Sequence, residues 1–206
     1  WAGVDTETGK AQWFKTDESG ARVKTFSYGD ASKNQIAIDR YTPDFFGGFS
    51  TNLSWKNVDL SAVFGYSVGG KIYNYARAEY DSDGTYTDRN QMKLQDGWSR
   101  WEKPGDVATH PQGIYNNGTN SNKASSRFLE DGSYLKLRNL TIGYNLALPQ
   151  FYISNLRIFA SGENLFTLTD YSGVDPEIPP ANGKITGVTT AVYPSTRKFM
   201  FGLNVT

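Results

Sequence analysis

Apolar and polar side chains alternate along five stretches of this chain, and no stretch holds a 3.6-residue period over three turns. In RKFMFGLNVT, Phe199, Phe201, Leu203 and Val205 share one face and Lys198, Met200, Gly202, Asn204 and Thr206 the other. Upstream, Phe49, Thr51, Leu53 and Trp55 alternate with Ser50, Asn52 and Ser54. Then Val58, Leu60, Ala62, Phe64 and Tyr66 alternate with Asp59, Ser61, Val63, Gly65 and Ser67. Only Lys56-Asn57 separates these two, the length of a tight hairpin. Leu140, Ile142, Tyr144 and Leu146 stand opposite Asn139, Thr141, Gly143 and Asn145. Leu156, Ile158 and Ala160 stand opposite Arg157, Phe159, Ser161 and Glu163. The pattern predicts an all-β chain with strands at about 45–55, 58–75, 129–147, 156–168 and 196–206.

The connections are lopsided. Two are short, at Lys56-Asn57 and at about 148–155, whereas about 1–44, 76–128 and 169–195 are long and polar. All eight prolines, including Pro149, Pro179 and Pro180, fall in connections or at a strand edge, as a missing ladder donor requires. Structureless loops beyond about 12–15 residues are rare in compact domains. Long loops at one rim and tight turns at the other belong to a transmembrane antiparallel β-barrel. The polar faces are built mostly from Ser, Thr, Asn and Gly, and Trp55, Tyr66, Tyr144 and Tyr152 lie near strand ends, where an aromatic girdle sits. Five strands cannot close such a barrel, because bacterial barrels start at about 8. The chain is therefore expected to be a piece of a larger barrel, or to close with other chains. A strand 196–206 running down to the periplasm puts both short turns on the periplasmic side and all three long segments outside. The alternatives are a soluble β-sandwich carbohydrate-binding module, whose turn signals would recur every 8–12 residues or so, and a hydrolase accessory domain. Extraction behaviour separates them, since a barrel part needs detergent.

Composition narrows the function. The 206 residues carry 21 basic and 21 acidic side chains, which leaves no cationic surplus to hold nucleic acid. Cysteine is absent, so disulfides, thiolate metal sites and Cys nucleophiles are excluded, and His110 is the only histidine. Mean hydropathy is −0.54 and no apolar run approaches about 20 residues, so no transmembrane helix is encoded. Residues 1–20 lack the charged and apolar regions of a signal peptide.

The same stretches carry a family pattern. FLEDGSYLKLRNLTIGYNLALP (128–149), LRIFASGENLFTLTDYSGVDPE (156–177) and YPSTRKFMFGLNVT (193–206) resemble the C-terminal strands of SusC-like (RagA-type) TonB-dependent outer-membrane transporters. WAGVDTETGKAQWF (1–14), FFGGFSTNLSWKNVDLSAVFGYSVGGKIYN (45–74) and DGWSRWEKPGD (96–106) resemble preceding segments of that family. The resemblance implies a 22-stranded barrel of which this chain supplies the last five strands, with the plug and TonB box not in this chain. It implies import of a large nutrient, an oligosaccharide or a peptide, across the outer membrane of a Gram-negative bacterium. A SusD-like surface lipoprotein and the TonB complex, reached through the absent plug, are the implied partners, with the lipid bilayer and the rest of the barrel. The family usually ends in an aromatic residue after the GLNVT-like run, whereas these residues end at Thr206.

Candidate chemistry is sparse. Trp98, Trp101 and Tyr115 in the longest loop could contact substrate or partner; packing as the loop's own small core is the favoured reading of the tryptophans. Arg157 and Glu163 lie on the polar, lumen-facing side of a strand and could meet substrate or plug, or form a water-facing ion pair. Asp81, Asp83 and Asp88 have the alternate spacing of a calcium loop but lack its closing Glu, so a solvated turn is expected. His110 is expected to be solvated. Asp175 and Glu177 have no sequence-fixed partner, and Asn117-Gly-Thr119 is a sequon without consequence in an outer membrane. No metal or cofactor is expected, and no catalytic constellation: the chain reads as a non-enzyme.

Overall fold

The structure, a computed structural model, describes residues 1–116, 120–148, 153–177, 187–189 and 193–206. Tyr152, Pro149, Pro179, Pro180 and the Asn117-Gly-Thr119 sequon lie outside the described residues. In chain order the strands are β1 (Gly3–Val4), β2 (Ala11–Thr16), β3 (Arg22–Thr25), β4 (Phe45–Trp55), β5 (Val58–Val68), β6 (Lys71–Asn74), β7 (Leu129–Asp131), β8 (Tyr134–Leu148), β9 (Ile153–Thr169), β10 (Val188–Thr189) and β11 (Lys198–Val205). Among the described residues there are also two short helices, α1 (Tyr28–Ser32) and α2 (Tyr75–Tyr80), and a 3-10 turn at Ser126–Phe128. The chain forms two compact units.

One unit is built on the five long strands, which form a single antiparallel sheet in the order β11-β9-β8-β5-β4. Register turns the alternation into rows. Leu53, Leu60, Ile142, Ala160 and Phe201 lie side by side across the sheet, and the next row holds Trp55, Val58, Tyr144, Ile158 and Leu203. The opposite face carries Asn52, Ser61, Thr141, Ser161 and Met200, then Ser54, Asp59, Gly143, Phe159 and Gly202. The apolar rows are open to the surroundings: Phe201 is 83 % and Leu53 62 % exposed. A soluble protein rarely leaves so continuous an apolar face uncovered. In a barrel wall it meets lipid. The Lys56-Asn57 turn and Val205 lie at the same end of the sheet, while the long segments leave from the opposite end. Lys56 takes the left-handed conformation that a two-residue hairpin demands.

Two expected strands are each interrupted. The stretch expected over 58–75 breaks at Gly69-Gly70, both at φ +77°, where a side chain on Gly70 would collide with the Tyr41 carbonyl. The stretch expected over 129–147 breaks after β7, because the Asp131 carboxylate accepts the Ser133 amide at 2.8 Å and turns the chain. Arg138 is a bulge in β8, skipped in pairing with both β5 and β9.

The other unit corrects the reading of 1–44 and 76–128 as plain loops. It comprises Trp1–Asp39 and Tyr73–Leu129, with β10 beside Tyr73 and Asn74. Strands β1, β2 and β3 form a small antiparallel sheet, and Ala11, Trp13 and Ala31 make a core flanked by Trp1 and Tyr28. Trp13 contacts both flanking rings edge to face, at 5.9 and 5.6 Å. No helix among the described residues is long and apolar enough to cross a membrane, which leaves crossing by strands untouched.

Among the described residues, the outer edges of β4 and β11 have no partner in this sheet. Bare edges beside an exposed apolar face are templates for aggregation. Expressed by itself, the segment is expected in inclusion bodies; a soluble monomer with a cooperative melt in detergent-free buffer would contradict membrane embedding.

Candidate functional site

The polar face of the long sheet carries the first arrangement. The bulge at Arg138 shifts the alternation of β8, so that Lys136, paired with Gly65, reaches that face, where it is only 2 % exposed. Its ammonium donates to Asp175 Oδ2 at 3.0 Å, Glu177 Oε2 at 3.1 Å and Ser195 Oγ at 3.2 Å, which uses all three of its donors. Ser195 Oγ donates onward to the same Asp175 oxygen, and the Glu177 amide to Asp175 Oδ1. The bulged Arg138 donates to Glu177 Oε1 at 2.7 Å. Its guanidinium lies across Gly65, where any side chain would sit 2.4 Å from Arg138 Nε. Both ends of the connection leaving β9 are thus tied to one strand. Burial works to raise the Asp175 and Glu177 carboxyls, but amide, lysine and arginine donors outweigh it and hold both below their ordinary values.

A folded carboxyl held below its ordinary value adds stability above the ordinary value and loses it as pH falls through the folded one. The Asp175–Glu177 tie is therefore expected to be intact at neutral pH and to open under acid conditions below the ordinary carboxylate range. Hydrogen exchange at the Glu177 amide, which donates to Asp175, corrected for its intrinsic rate, should show protection lost there. Lys136→Met should abolish that protection already at neutral pH.

Further along the same face, Arg157 pairs with Asp59 through Nη2–Oδ2 at 2.5 Å and Nε–Oδ1 at 3.1 Å, and Asn145 donates to the same carboxylate at 2.9 Å. Glu163 lies 3.4 Å from Lys198 across the β9–β11 pairing. Both residues named from the sequence stand on the polar face, each in an ion pair. These carboxylates are fixed by cations, not held across a cleft.

The second arrangement lies in the other unit and overturns two expectations. Asp81, Asp83 and His110 are not solvated: they are 1 %, 0 % and 0 % exposed. Arg127 donates to Asp83 Oδ2 at 2.6 Å and to Asp81 Oδ2 at 3.4 Å, Arg100 to Asp83 Oδ1 at 2.7 Å, and Arg77 to Asp81 Oδ2 at 3.2 Å. His110 Nε2 lies 2.8 Å from Asp81 Oδ2, and an ionised carboxylate only accepts, so Nε2 carries the proton. Burial alone would raise the Asp81 carboxyl; the bond from His110 and the charge of Arg127 hold it below its ordinary value. Arginines and a histidine take the places a calcium ion would need. Charges cannot stay buried unless paired, which is why this Asp-x-Asp stretch packs inward with its partners.

The aromatic candidates separate. Trp101 is 7 % exposed and donates its indole N–H to the Thr6 carbonyl at 2.8 Å, so it belongs to the unit's own core. Trp98 is half-buried, 5.0 Å from the His110 ring and 4.2 Å beneath the Arg77 guanidinium. Tyr115 is 83 % exposed. Reasoning from sequence missed Lys136 and Arg127 entirely. For Lys136 a signal existed, its place on the polar side of YLKLR; for Arg127 none did.

No family model matches the chain. The TonB-dependent receptor P3 of Formosa agariphila is 35 % identical over 173 residues, which cover 80 % of this chain and 16 % of that protein. The TonB-dependent receptor SusC of Bacteroides thetaiotaomicron is 25 % identical over 167 residues, covering 79 % of this chain and 15 % of SusC. The solved RagAB peptide transporter is 28 % identical with a TM-score of 0.76, over 99 % of this chain and 22 % of that one. The chain thus spans about a sixth of the length of the receptors it matches. Apolar rows facing outward, a polar face laced with ion pairs and these likenesses agree: the chain belongs to the SusC-like, RagA-type TonB-dependent outer-membrane receptors, as a segment of their β-barrel.

Proposed function

We propose that this segment supplies the last five strands of a 22-stranded barrel through which a large nutrient enters the cell by TonB-dependent import. The observation that carries the reading is the five-stranded antiparallel sheet, apolar and exposed on one face, polar and ion-paired on the other. Its polar face lines the lumen, where Arg157, Glu163 and the tied Asp175–Glu177 stretch meet plug or cargo. The three long segments are extracellular, the C-terminus is periplasmic, and a SusD-like lipoprotein seats on the outer loops, with the exposed Tyr115 a contact. The energy comes through TonB acting on the plug, and this segment performs no chemistry of its own. The cargo is an oligosaccharide or a peptide, and the likeness to a solved peptide transporter supports the peptide.

The test uses the whole receptor in its own host. Deleting the receptor gene, or tonB, should abolish uptake of the cognate nutrient, and a tagged receptor should co-purify a surface lipoprotein in detergent. Uptake that persists without tonB would overturn the reading. Removing residues 85–120 is a poor probe of the loops, because it takes Arg100 and His110 away from the buried aspartates. Tyr115→Ala leaves that cluster whole.

A further inference from the structure

The charges of the long sheet cancel. Strands β4, β5, β8, β9 and β11 carry four cations, Lys136, Arg138, Arg157 and Lys198, against two anions, Asp59 and Glu163. Left so, the polar face would hold a surplus of two positive charges. The connection after β9 supplies the missing anions, as Asp175 and Glu177 pair with Lys136 and Glu177 also with Arg138. Arg157 pairs with Asp59, and Lys198 with Glu163. Each charge in these strands therefore has an opposite one beside it. The field of such a pair falls off faster than that of a lone ion, and salt screens the remainder over about 10 Å.

Between the pairs the face is neutral. Asn139, Thr141 and Ser161 hydrogen-bond to one another, and Asn52 and Ser61 continue that row to β4. Hydroxyls and amides both donate and accept, so they serve a cargo group of either polarity. A wall that selects anions would leave a guanidinium or an ammonium unanswered, and among the described residues of these strands none is.

We propose that this stretch of wall passes cargo without regard to its charge, and that Asp59 keeps it so by masking Arg157. Indifference toward cargo rests on the transport reading above, whereas the potential at the face is measured without it.

The whole receptor, purified in detergent with other reactive thiols removed, carries Ser54→Cys on the polar face directly opposite Asp59. Modification by a cationic and an anionic methanethiosulfonate of similar size is timed by mass spectrometry. The ratio of the two rates is divided by that of a small thiol in the same buffer. This normalised ratio should lie near unity in the parent. Asp59→Asn unmasks Arg157 and should tilt it toward the anionic reagent about fivefold at low salt, and less as salt rises. Arg157→Gln should tilt it toward the cationic reagent, and the double variant should return it to unity. Heat-modifiable migration reports folding; where one single variant does not assemble, the other and the double variant decide. In cells, uptake of the cognate nutrient bearing a sulfonate tag, relative to a trimethylammonium tag, should follow the same tilts. The assignment is overturned if the parent ratio lies as far from unity as a single variant's, if the single variants do not tilt in opposite directions, or if neither reagent reaches the thiol. Uptake that stays tonB-dependent but ignores the tilts would also overturn it, and would leave the transport reading standing. Uptake that persists without tonB would fell the transport reading, and with it the indifference toward cargo.

Discussion

Arginine in place of Phe201 is expected to destabilise the assembled barrel by about 2–4 kcal/mol where that row lies near the bilayer mid-plane, and by less toward the rim. Phe201 belongs to the apolar row with Leu53, Leu60 and Ile142, one row inward from Trp55 and Tyr144. The cost is that of putting a guanidinium where no water can follow. Ile142→Arg should behave alike. Ser54→Arg is the control: Ser54 stands on the polar face opposite Asp59 and should be nearly silent. Folding of the whole receptor into lipid vesicles across a urea series, read by heat-modifiable migration, measures all three. Equal costs on both faces would mean that the register is wrong by one residue, since such a slip exchanges the faces.

Arg127→Ala should be as damaging, but only locally. Its side chain is 2 % exposed and answers Asp83 and Asp81, themselves fully buried. Taking away one partner of a buried ion pair leaves an uncompensated charge and costs about 3–5 kcal/mol. The long sheet should keep its heat-modifiable band, while hydrogen exchange across 75–83 and 96–111 should accelerate toward unprotected rates. A double-mutant cycle sharpens the result. Arg127→Ala with Asp83→Ala should cost less than the two changes summed, because the second removes the charge that the first had stranded. Strict additivity would show that the cluster is not an energetic unit.

The two parts of the molecule differ in how plainly they are written along the chain. In the long sheet each residue's face follows from its neighbours two places away, so Phe199, Phe201 and Leu203 declare themselves without knowledge of what pairs with them. The breaks were less legible. Gly69-Gly70 could have been a bulge within one strand, and only the approach of the Tyr41 carbonyl makes it a corner. The other unit has no such period. Asp81 meets Arg127 across 46 positions and Trp101 meets Thr6 across 95, so its order comes from contacts that no local window contains. Its acidic stretch reads as a solvated turn because Asp in a turn is usually solvated; Arg100, His110 and Arg127 from elsewhere, with the neighbouring Arg77, reverse that. Arg157 and Glu163 were legible as to face, though their partners Asp59 and Lys198 emerge only with the register.

Lys136 has a consequence for how this segment can change over generations. Asp175 and Glu177 at one end of the connection, and Ser195 at the other, meet on the same ammonium. The ends of this connection are thus held by a contact outside it, and Val188–Thr189 within it pair with β6. Its length is then almost decoupled from the barrel, since doubling a closed loop costs only about 0.6 kcal/mol. Such a segment can be lengthened, shortened or exchanged between relatives while the strands beneath it keep their sequence. A single lysine on β8 thus lets the connection between β9 and β11 vary without the strands beneath it having to relearn how to fold.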